Sequence, residues 1–201
     1  MTFPCVVAVR FAQLRTWPST YEEAAAWVLE TVDPEEDVVY LSLPMTLPVR
    51  SDAASLEAEE AGFPERGLGW YSYQRKVGES PSAPAYRTRW LPLHDPDLRR
   101  RARKEFVHSL GGGYCINEVF TGRSVDPQVE DVRIGLQQEG KLLVRFAPDL
   151  SPIASLPLDY QEVADALVPN RAPRLLRARA LGPYLEVFRL PEPRANPAES
   201  R

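Results

Sequence analysis

The chain has 201 residues, of which 44% are hydrophobic and 26% charged, and its net charge is −4. That balance is enough for a packed core and excludes global disorder; no stretch approaches the roughly 20 apolar residues needed to span a bilayer. Twenty prolines favour short elements joined by stiff connections and argue against a long helical bundle.

The opening Met1-Thr2-Phe3-Pro4-Cys5 lacks the basic region and apolar run of a secretory signal, so a cytoplasmic location is expected. The two cysteines, Cys5 and Cys115, lie in apolar runs and are too few for a disulfide framework. Buried thiols are the expectation for both.

From Pro4 to Phe11 the apolar run Cys5-Val6-Val7-Ala8-Val9 reads as a buried first strand. Ser19 and Glu22 then stand at capping-box spacing, and Tyr21, Ala24, Ala25, Val28 and Val32 recur on one helical face until Asp33-Pro34 stops it. Val38 to Leu43 reads as a second buried strand, so the expected opening is strand–helix–strand. Asp52 to Ala61 is helix-prone and rich in Glu, as a solvated surface helix would be. Gly67–Val77 and Ala85–Leu93 carry the aromatic, alternating pattern of a hairpin. Asp95-Pro96 opens a helix with Leu98, Ala102, Phe106 and Leu110 in one stripe, and Gly111-Gly112-Gly113 ends it.

Cys115 to Phe120 is a further short strand. Val129–Gln137 and Lys141–Ala147 alternate about Gln138-Glu139-Gly140 and read as a hairpin. Asp159 and Glu162 cap a short helix stopped by Pro169, and Leu175–Ala180 pairs with Tyr184–Leu190 across Gly182-Pro183. Residues 191–201 lack core-forming side chains and read as a disordered tail.

The expected fold class is therefore α+β, a mostly antiparallel sheet with about three to four helices. Residues 1–120 are compatible with a ferredoxin-like arrangement. Residues 121–190 form a hairpin-rich portion of the same domain or a small second one, with any boundary near 121–128.

Catalytic signatures are lacking. No phosphate-binding glycine loop, dinucleotide fingerprint or nucleophile elbow occurs, and the two histidines and two cysteines have no metal-ligand spacing. No metal and no cofactor are expected. His94 beside Asp95, or His108 near Cys115, could make an acid–base or thiol pair; a lone Asp or Glu could also be catalytic, and the sequence gives no means of choosing one. The three glycines follow a helix instead of opening one, so the helix dipole is wrongly directed for an anion.

Charge is unevenly spread. Residues 1–65 hold three Lys+Arg against twelve Asp+Glu, whereas residues 66–108 hold ten against four. Strand periodicity places Tyr71, Tyr73 and Arg75 on one face and Arg87 and Arg89 together, and the next helix adds Arg100, Arg103 and Lys104 to a shared surface. Such a surface suits an acidic protein segment, or single-stranded nucleic acid through stacked bases and neutralised phosphates. Alternatively, those tyrosines pack the core and those arginines pair with acids of the first third. The expected function is a non-catalytic accessory or regulatory protein acting in a complex, with single-stranded nucleic-acid binding and an enzyme of unrecognised site as alternatives.

Overall fold

A computed structural model describes residues 3–42, 49–62, 84–91, 103–119, 127–148 and 176–192. Within them lie five helices and five strands in the order α1 (Phe3–Leu14), α2 (Thr20–Thr31), β1 (Val38–Leu41), α3 (Ala53–Gly62), β2 (Arg87–Trp90), α4 (Arg103–Leu110), β3 (Tyr114–Val119), α5 (Pro127–Glu139), β4 (Lys141–Phe146) and β5 (Tyr184–Arg189). The class is α+β, as expected, but the five helices among the described residues exceed the three to four expected.

The sheet runs β2-β1-β3-β5-β4. β1 pairs in parallel with both β2 and β3, while β5 runs antiparallel to β3 and β4. It is thus mixed, where a mostly antiparallel sheet was expected. Among the described residues, the three strands of the first 120 are mutually parallel, which departs from a ferredoxin-like arrangement. Their connections are long enough to hold α3 and α4, as parallel crossovers require.

Two further expectations fail at the first residues. Cys5–Val9 is helical, so the chain opens helix–helix–strand. Val7 and Leu14 are buried there with Ala178, and Phe11 packs against them. Valine's penalty in a helix is below about 0.7 kcal/mol per residue, whereas burying a Val or Leu side chain contributes about 1.5–3 kcal/mol; tertiary packing outweighs propensity. Cys5 is exposed and only Cys115 is buried.

α2 follows its sequence signature closely. The Glu22 amide donates to Ser19 Oγ at 3.3 Å and the Ser19 amide to Glu22 Oε2 at 2.7 Å, a complete capping box. Its buried face, Ala24, Ala25, Val28 and then Val32, packs on Val39, Leu41, Ile116, Leu185 and Val187 of the sheet. Trp27 meets Tyr114 edge-on at 5.7 Å. The acidic run after it is a turn, with the Glu35 and Glu36 amides donating to Asp33 Oδ1.

Asp52 caps α3 by accepting from the Ser55 amide at 2.6 Å. This helix is not simply a solvated one: Leu56 and Glu59 are buried. Ser55 Oγ accepts from the Thr88 amide, so α3 covers the outer edge of β2. The first limb of the expected hairpin, 67–77, lies outside the described residues; β2 pairs with β1.

Phe106 and Val107 of α4 and Val132 and Leu136 of α5 pack on the opposite sheet face, against Tyr40, Cys115 and Phe188. α4 ends at Gly111, Gly112 and Gly113, all with positive φ. At Gly113 a Cβ would strike the Val38 carbonyl, which only glycine avoids at that φ.

Val129–Gln137 is helix, not the first limb of a hairpin. Val132, Ile134 and Leu136 satisfy a two-residue period, but the buried set Val132, Gly135 and Leu136 has helical spacing. β4 is a strand as expected, yet its partner is β5. The described residues of Leu175–Ala180 are not a strand either; the Arg179 amide is held by the Pro148 carbonyl at 2.7 Å. The expected helix about 159–167 and tail residues 193–201 lie outside the described residues.

Candidate functional site

Of the basic, aromatic surface, Tyr71, Tyr73, Arg75 and Arg100 lie outside the described residues, and Arg103 and Lys104 open α4. Arg87 and Arg89 are both exposed on β2, opposite Val38 and Tyr40 in the parallel register, so they share a face as the two-residue period requires. Arg87 donates to the Glu35 carbonyl at 2.5 Å. Arg89 stands by the Tyr40 hydroxyl; burial raises the pKa of Tyr40 and Arg89 partly offsets that.

Asp37, an acid of the first third, pairs with Arg189 of β5 at 2.6 Å. That guanidinium also lies 4.5 Å from the centre of the Tyr114 ring. Burial opposes its charge, but Asp37 and Tyr114 together outweigh burial and hold Arg189 above the ordinary guanidinium range.

The histidine and thiol candidates are engaged otherwise. His108 Nε2 meets Glu139 Oε2 at 3.0 Å, tying α4 to α5. Cys115 is fully buried, and desolvation pushes its thiol far above the usual range, which disfavours the nucleophilic thiolate. His94 lies outside the described residues. Among the described residues no three His, Cys, Asp or Glu side chains converge as metal ligands, and no helix is long and apolar enough to cross a membrane.

A constellation that the sequence did not disclose lies at the carboxyl ends of β1 and β3. The chain leaves β1 toward β2 on one side and leaves β3 toward β4 on the other, so the strand order reverses between these parallel strands, a topological switch point of the kind where open α/β sheets commonly receive ligands. Ser42, directly after β1, donates its amide to the Ile116 carbonyl and accepts the Glu118 amide on Oγ at 2.7 Å. Its carbonyl accepts Trp90 Nε1 at 3.0 Å.

Beside Ser42 the register carries a polar row through three more strands, since Asn117 faces Glu186 and Glu186 faces Arg145. Glu186 has no exposed surface. Its Oε1 accepts Arg145 Nε at 3.1 Å and its Oε2 accepts Arg133 Nε from α5 at 3.3 Å. Arg133 Nη1 also reaches Glu130 Oε1 at 3.2 Å. On the other face Glu118, also buried, accepts the Tyr21 hydroxyl at 3.1 Å.

α1 presents a different surface. Cys5, Val6, Ala8, Val9 and Ala12 are exposed along it, with Val9 at 52%. Trp17 and Leu29 are also exposed, and Arg10 lies over the Trp17 ring at 4.9 Å. No known protein family matches the chain, and neither a curated protein nor a solved structure is similar to it.

Proposed function

We propose that this protein is a non-catalytic binding protein that works within a complex, and that α1 contributes to its docking surface. The observation that carries this reading is the exposure of Val6, Val9 and the small apolar residues between and beyond them on a single helix. Contiguous exposed apolar surface on a helix commonly marks an interface. Arg87 and Arg89 add a cationic pair suited to an acidic partner.

Size-exclusion of gently prepared native extract tests the reading. The protein should elute with a partner, and V6K/V9K should return it to monomer size while changing stability by no more than about 0.5 kcal/mol per site, as surface replacements usually do. Elution of the unmodified protein as a free monomer at low salt would remove the reading's support.

A second reading, single-stranded nucleic-acid binding, has the exposed Arg87 and Arg89 side by side in its favour. It expects fluorescence-anisotropy binding to DNA or RNA single strands that weakens linearly in log–log salt plots as counterions are released. No binding at low salt counts against it.

A further inference from the structure

A sheet face covered by helices is ordinarily filled with apolar side chains, and the row next to this one, Cys115 opposite Phe188 opposite Leu142, follows that rule. The row of Ser42, Asn117, Glu186 and Arg145 breaks it beneath α5. We infer that this row, with Arg133 above it, binds a small molecule through a phosphate or carboxylate group.

Stability alone does not account for the row. A buried carboxylate paired with arginines is commonly no better than apolar residues of similar volume, and this row includes an orphan. Asn117 is 1% exposed and its Oδ1 has no hydrogen-bond partner among the described residues, a state that native cores usually correct with water, an ion or a ligand. Cross-strand neighbours lie about 5 Å apart at Cβ, which places that amide directly beside the Glu186 carboxylate.

The donors point to an oxyanion. Arg145 uses only Nε, and Arg133 uses Nε and Nη1; the remaining Nη groups have no partner among the described residues. Two guanidinium groups thus converge on one fully buried carboxylate and keep forked N–H donors over, the geometry that suits bidentate phosphate or carboxylate recognition. Arg145 and Glu130 are 48% and 42% exposed, so the cluster opens to solvent. The row also ends at the β1/β3 switch point. A ligand that carries a hydroxyl or a protonated phosphate oxygen would satisfy Asn117 Oδ1 as well.

The test uses the whole protein, 15N-labelled, with the side-chain Nε–Hε resonances of Arg133 and Arg145 followed during titration with inorganic phosphate and, separately, citrate, while chloride holds the ionic strength constant. One of the two anions should shift these resonances saturably, and the stronger one identifies the class. R145Q, at a half-exposed position, should keep the fold and weaken binding at least about tenfold. N117L should leave the thermal midpoint unchanged or raised and yet weaken binding, an outcome that a purely structural row would not produce. Absence of a saturable shift with both anions up to roughly 10 mM, the weak end of specific affinity, overturns the inference. So does R145Q that binds as the parent does, a result that stands even where N117L fails to fold.

Discussion

At the scale of single residues, the two cysteines have the same sequence context, an apolar run, and opposite environments. Cys115 lies between β1 and β5 in the centre of the sheet, where burial raises its thiol pKa and removes access together. Cys5 is exposed on α1. One thiol per folded chain should therefore react with a disulfide reagent such as DTNB within minutes, and the second only after denaturant is added. Two rapidly reacting thiols would contradict the burial of Cys115. The sequence singled out Arg87 and Arg89 correctly as a pair on one strand face. It passed over Glu186, Arg133 and Arg145, because the three belong to separate elements and meet only through register and helix packing. The one signal available was a glutamate within the apolar strand Tyr184–Leu190, a position that demands a partner.

Among the elements, those with local chemistry were legible. The Ser19–Glu22 capping box needs only three residues of spacing, and α2 forms where it predicts. Its hydrogen bonds with the Ser19 backbone and side chain lower the pKa of Glu22, against a smaller opposing effect of burial. A carboxylate with a lowered folded-state pKa contributes stability that is full above its unfolded value and is lost as pH falls through the folded one. Ser19→Ala should accordingly cost about 1 kcal/mol at neutral pH, and less once the pH has fallen through the lowered folded-state value and Glu22 is protonated. Urea unfolding at neutral pH and along an acid series gives the difference; a cost that does not change with pH would show that Glu22 takes no part. α1 and α5 were illegible for one shared reason. A short apolar run satisfies strand and helix periods alike, and neither Cys5–Val9 nor Val129–Gln137 contains the neighbour that decides between them.

For the whole molecule, the decisive feature is the position of β5. It enters between β3 and β4, so strands from either side of residues 121–128 are joined in one sheet. On this geometry residues 1–120 alone would leave Ile116 and Cys115 without the Val187 and Phe188 that cover them. The fragment should show no cooperative thermal transition by circular dichroism, while the full chain should show one. A cooperative transition in residues 1–120 would instead establish an independent domain there. The acidic first third is likewise held from a distance, by Arg189 on Asp37; the basic middle contributes Arg87 to the Glu35 carbonyl, not to its carboxylate.

The sequence by itself determined the α+β class, the extent of α2 and α3, the glycine stop of α4 and the strand character of β1 to β5, because caps, turn residues and β-branched runs act within a few positions of the chain. Only the tertiary structure decided which strands pair, in which direction, and that α1 and α5 are helices. Pairing is a competition among distant segments for the same backbone hydrogen bonds and apolar faces, and alternation alone does not rank the competitors. The polar row belongs to that second category: Ser42, Asn117, Arg133, Arg145 and Glu186 span most of the chain and become neighbours only when β5 inserts between β3 and β4.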